Sequence, residues 1–191
     1  MNFDIITEGR SMNIRQFTPI IALATPLVFI LLAIGLSGWF NIVDNALSDL
    51  GHATKSNVAV LFNLGLVLGG FLLYSTALMD SRVETVYRAI MAFAGFSLAL
   101  VGVFDEVYGR THFIVSMIFF ITILSFLIYY SSKTDGWRRN GALAGIVASV
   151  VAWALHFTIK TPPGAAIPEL VSIFSVAPFY IDVFTEGFKR R

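Results

Sequence analysis

The sequence predicts an all-α polytopic membrane protein, a six-helix bundle with both termini cytoplasmic. Three observations carry this. Charged residues make up only 13% of the chain while 57% is hydrophobic, against roughly a quarter charged in a soluble domain. The apolar residues fall into six runs of about 17 to 23, the length that crosses a hydrocarbon core of about 30 Å at about 1.5 Å per residue. The runs are apolar on all sides, without the alternation a barrel strand needs, and helices satisfy their own backbone as lipid demands.

Taken in order, the spans are 17–38, 57–79, 87–104, 111–130, 141–159 and 168–184. The first follows Arg10 and Arg15 and is too long for a signal-peptide core, so it reads as a retained span, with Met1 or Met12 as the start. Pro19 sits in its first turn, and the interior Pro26 predicts a kink. Span two carries Gly65 and Gly69, then Gly70. Thr111 is placed to cap span four, and span five repeats the glycine spacing at Gly141 and Gly145. Pro168 opens span six and Pro178 predicts a second kink. The glycine pairs read as close helix packing, and they also offer a face for a homo-oligomer. Loops are short, so residues 1–191 form one integral membrane domain of antiparallel neighbours.

Lys and Arg set the orientation. With the N-terminus inside, the inner segments hold Arg10, Arg15, Arg82, Arg88, Lys133, Arg138, Arg139, Lys189, Arg190 and Arg191. The outer segments hold only Lys55, Arg110 and Lys160. The predicted location is therefore the cell membrane, with both termini cytoplasmic. A net charge of +1 gives no ground for a nucleic-acid partner. The absence of cysteine excludes disulfides, thiolate metal sites and thiol nucleophiles.

This orientation gathers His52, His112 and His156 on the outer side, with Asp44, Asp49, Asp105, Glu106 and Glu169. Ionisable groups at the ends of apolar helices tend to face the bundle interior or a wet cavity. The stretch from Asp44 to His52 is the polar centre. As a short helix capped by Asp44 and ended by Gly51, it would place Asp44, Ser48 and His52 on one face, with Leu47 and Leu50 opposite. A simpler reading makes Ser48 and Asp49 loop caps and leaves His52 solvated. At the turn between spans three and four, Arg110 can neutralise Asp105 or Glu106, and a carboxylate can orient His112. The competing reading there is a solvated hairpin. His156 lies one turn from Trp153 and from Lys160, and reads either as a pocket group or as an interfacial histidine reaching for water. Asn63, two turns into span two, either glues helices or lines a pocket. The candidate outer pocket is thus Asp44, Ser48, Asp49, His52, Asn63, Asp105, Glu106, His112 and His156.

Ser48-Asp49-Leu50-Gly51, Asn63-Leu64-Gly65, Gly69-Gly70, Val101-Gly102-Val103-Phe104 and His112 carry a resemblance. The chain resembles the prokaryotic membrane family known as domain of unknown function nine-nine-eight. It is more distantly similar to the Frag1/DRAM/Sfk1 group of six-span proteins. The likeness runs from span one through span six and implies a six-helix bundle, with little about activity. Where family members often carry a proline after the Phe, this chain has Asp105, and His52 and His156 lie outside the family pattern.

Three functions are weighed. The first is binding of a membrane lipid or small ligand in a polar pocket open to the outer face, since polar groups under an apolar shell are the usual makeup of a site. The second is a metal-dependent hydrolase acting on lipid, with His52, His112, His156 and Asp105 as candidate ligands and zinc as the metal such a set would take. The Ser48-to-His52 spacing resembles alkaline ceramidase-like hydrolases, but those have seven spans and a further histidine pair absent here. The third is a small transporter, against which the span interiors carry no charge at mid-depth.

Overall fold

A computed structural model describes residues 14–186. The start-site alternatives Met1 and Met12, and Arg10, Lys189, Arg190 and Arg191, lie outside the described residues. Six helices follow one another: α1 (Ile14–Ser37), α2 (Ala59–Met79), α3 (Thr85–Val103), α4 (Arg110–Lys133), α5 (Gly136–Ile159) and α6 (Ala166–Glu186). All six are long and apolar enough to cross a membrane, and no strand occurs among the described residues. Each pairs with its neighbour in sequence, and α6 also returns to α1 and α4.

Most helices outrun the apolar runs that predicted them. α5 begins five residues before Gly141, at Gly136, and α4 continues past Tyr130 to Lys133. Apolar runs mark only what lies in hydrocarbon, whereas a helix continues into polar turns until a cap stops it. Thr111 is not a cap. Gly109 opens α4 with φ at +50°, a conformation open to glycine.

The α1–α2–α3 half is packed tightly by small residues. A Cβ on Gly70 would lie 2.6 Å from both Gly95 O and Ala99 N, and one on Gly95 would lie 2.6 Å from Gly70 O. α2 and α3 therefore touch backbone to backbone. Gly69 packs on Pro26 and Gly65 on Phe29, which brings α1 in. The other half is looser, for α5 buries only Ala142 and Ser149. That asymmetry leaves room between α4, α5 and α6.

The two ends differ in chemistry. At the end that carries the termini, Arg82 pairs with Asp80 at 2.7 Å and Arg138 with Asp182 at 2.9 Å, and Tyr129 donates to Glu84 at 2.6 Å. Arg88 closes the C-terminus of α2 by donating to the carbonyls of Ala77 and Leu78. The opposite end is built from the three loops 38–58, 104–109 and 160–165, and among the described residues none of its acids forms an ion pair.

Candidate functional site

The polar stretch after α1 folds as a 3-10 helix, Leu47–Gly51, and not as an α-helix capped by Asp44. In a 3-10 helix residues three apart eclipse, so Leu47 and Leu50 stack on one edge and are both buried. The cap is supplied from within. Asp49 Oδ2 accepts from Ala46 N and from Asn45 Nδ2, each at 2.9 Å. Asp44 is exposed and plays no part. The predicted face of Asp44, Ser48 and His52 is therefore corrected. Its period was helical, and the local hydrogen bonds of Asn45 and Asp49 favour a tighter turn.

Two contacts fix this turn to the bundle. Asn63 Nδ2 donates to Gly51 O at 2.8 Å, so Asn63 joins helix to loop and lies off the cavity. A Cβ on Gly51 would collide with Asn63 Oδ1 and Phe62. From the other side, Gly164 lies against the backbone of Asp44 and Asn45, with Gly164 N donating to Val43 O at 2.9 Å and Ala166 N to Asn45 O at 3.0 Å.

The loop so held presents Leu47 N to Glu169 Oε2 at 2.7 Å and Ser48 Oγ to Glu106 Oε1 at 2.9 Å. Glu169 lies in the first turn of α6, where the helix N-terminus favours an anion, and it is only 8% exposed. It is the main omission from the predicted pocket. Its signal was a carboxylate one turn into an apolar helix, a placement that itself points to function. Burial, and then the neighbouring Asp49 carboxylate, push the Glu106 carboxyl up to about 7, while the Ser48 hydroxyl pulls the other way.

These groups head a cavity of about 730 Å³ between α4, α5 and α6. Ser48, His52, Glu106, His112, His156 and Glu169 line its loop end. Deeper, the walls are Phe120, Leu124, Leu127, Ser149, Val150 and Val176. Phe113, Met117 and Ile121 on α4, and Val150 and Phe157 on α5, line it and are exposed. The cavity is therefore open along the walls that α4 and α5 supply.

Two of the three histidines at the cavity wall, His112 and His156, are oriented by carbonyls, and for His112 this replaces the carboxylate the sequence suggested. His112 Nδ1 lies 2.7 Å from Phe104 O, and His156 Nδ1 lies 3.0 Å from Pro162 O. A carbonyl only accepts, so Nδ1 carries a proton in each ring. Ser116 Oγ lies 3.3 Å from His112 Nε2. Asp105 instead caps the turn Glu106–Tyr108 by accepting from Val107 N at 2.8 Å, and it does not line the cavity. Arg110 forms no ion pair among the described residues. No three histidines or carboxylates come together as a metal-binding group among the described residues. The four-ligand set of His52, His112, His156 and Asp105 is therefore not assembled, because Asp105 is spent on a turn and His112 and His156 are tied to separate loops.

A family model described as "Protein of unknown function (DUF998)" matches residues 20–183. The chain belongs to the DUF998 family. The match takes in nearly all of the six spans and both polar loops that meet at Glu106. No curated protein and no solved structure matches the chain.

Proposed function

We propose that this DUF998 protein binds an amphiphile, a membrane lipid or lipid-like small molecule, in the cavity between α4, α5 and α6. The observation that carries the reading is the cavity's polarity gradient. Carboxylates and imidazoles head it, rings and aliphatic side chains line its depth, and exposed residues of α4 and α5 form part of its wall. A site that fixes a ligand by a few polar groups and sets it against apolar walls has this composition, and walls made of membrane-length helices suit a ligand that arrives through the bilayer.

The test is lipid retention. Protein purified in mild detergent should carry bound amphiphile detectable by native mass spectrometry. Ser149→Trp, which fills the cavity from α5, should cut the bound fraction about tenfold, a loss of roughly 1.4 kcal/mol. Equal retention by a folded Ser149→Trp protein would place the lipid elsewhere and end this reading.

Hydrolysis is the second reading, and the Ser116–His112 contact favours it, since a serine hydroxyl within reach of an imidazole nitrogen is the pairing an activated nucleophile needs. Labelling of Ser116 by a fluorophosphonate, lost in His112→Ala, would select it over binding alone.

In the same proposal the protein sits in the cell membrane as one integral unit with both termini cytoplasmic, and its distant likeness to the Frag1/DRAM/Sfk1 group belongs here too. The polar end then faces outward. The lack of cysteine makes this direct to check. Single cysteines at the exposed positions Arg110 and Thr161 should react with an impermeant maleimide in intact cells, and those at Ser81 and Ser132 should not. The reverse pattern would invert the topology.

A further inference from the structure

Glu106 and Glu169 line the loop end of the cavity, and Asp49 lies close enough that it and Glu106 both act electrostatically on Glu169. Among the described residues no cation is bonded to any of the three. The ion pairs among the described residues involve Asp80, Glu84 and Asp182, all at the opposite end of the bundle. Lys55 lines the cavity and acts electrostatically on Glu106, but it is exposed and forms no ion pair with any of the three.

The three acids are not equally provided for. Asp49 is occupied by Asn45 and Ala46, and Glu106 accepts from Ser48. Glu169 is more than nine-tenths buried, faces the cavity, and accepts one bond, from Leu47 N to Oε2. Its other oxygen accepts nothing from a described residue and opens on the cavity it lines. A carboxylate oxygen that only the cavity reaches takes its donor from whatever fills the cavity. The walls beside it agree in sign. Phe113, Phe120, Trp153 and Phe157 line the same space, and aromatic faces attract cations. An anionic head would meet two or three carboxylates. A divalent metal lacks an assembled donor set. An ammonium group is compact, supplies three donors, and compensates charge at two carboxylates at once.

We propose that the ligand is an amphiphile with a protonated amine head, its ammonium seated between Glu169 and Glu106 and its chain lying along the apolar walls toward Leu127. The proposal rests on the cavity being an amphiphile site and adds the head-group chemistry.

The experiment compares tetradecylamine, tetradecanol and tetradecyl phosphate as added ligands for the full chain in detergent, read by thermal unfolding. At saturating concentration tetradecylamine should raise the midpoint by about 5 °C, the other two by less than about a third of that. Glu169→Gln should abolish the amine-specific part, and Glu106→Gln should reduce it, which keeps the test decisive if Glu169→Gln fails to fold. A shift from the alcohol or the phosphate that equals the amine's, or an amine shift that survives in both variants, overturns the proposal. Lipid retained by the protein together with indifference to the amine would sink the head-group inference and leave the binding reading standing. Retention of no amphiphile, with no response to any of the three, would remove both.

Discussion

Gly164→Val should lower stability by about 3 kcal/mol, the upper part of the usual range for forcing atoms into a filled space, or about 6 to 12 °C in the unfolding midpoint for a chain of this size. The reason is local and steric. Gly164 lies against backbone atoms of Asp44 and Asn45, which cannot rotate away as a side chain can. Moving the 160–165 loop outward would break the bonds from Gly164 N to Val43 O and from Ala166 N to Asn45 O. It would also draw Glu169 away from Leu47 N. The loss should therefore appear in bound amphiphile as well as in stability. Gly35 supplies the control, since a Cβ there meets nothing within 4 Å. Gly35→Ala, in the same chain and inside α1, should be neutral or slightly stabilising. If Gly164→Val unfolds within about a degree of Gly35→Ala, the three-loop junction is not what holds the polar end together.

Stability should also fall as the pH rises from about 4.5 to about 7, and Glu106→Gln should flatten that slope by the share that Glu106 contributes. The Glu106 carboxyl is raised from an ordinary value of 4.5 to about 7 by burial and by Asp49. Between those two values the folded protein holds a proton that the unfolded chain has released, so stability decreases with pH there. The contribution is fully present below about 4.5 and is lost once the pH passes about 7. A shift of this size would correspond to roughly 3 kcal/mol for a fully enclosed group. Glu106 is only half-buried, so solvent screening brings the expected change to about 1–2 kcal/mol. A glutamine still accepts from Ser48 and can offer its amide to Asp49. Glu106→Gln should then match or exceed the native protein above pH 7. Thermal unfolding of both proteins from pH 4.5 to 8.5 checks this, and parallel curves would mean that Glu106 is not the group that titrates.

The spans and the polar loop ends were legible because the bilayer imposes one strong rule on local sequence. A run such as 59–79 has no other stable home, and its composition states this without reference to any partner. Glycines 65, 69 and 70 likewise announced close packing, although not which helix they would meet. The short turn at Leu47–Gly51 was harder. Its i, i+4, i+8 spacing fits an α-helix, and only the bonds of Asn45 and Asp49 to the backbone decide for the tighter form. Asp105 and Glu106 illustrate a second limit. They are adjacent acids of similar local context, yet one caps a turn and the other faces the cavity. Nothing within a few residues of either distinguishes them.

The chain's own order of residues determined six spans, the crowding of basic side chains toward one set of loops and the gathering of all three imidazoles, with five carboxylates, in the other. Which of those groups meet was decided by contacts between residues far apart in the chain. Leu47 reaches Glu169 across 122 positions and Ser48 reaches Glu106 across 58. Hydropathy is a sum over neighbours and survives in any window of sequence. A buried carboxylate's partner is set by the packing of three loops at once, and that packing exists only when all six helices have closed.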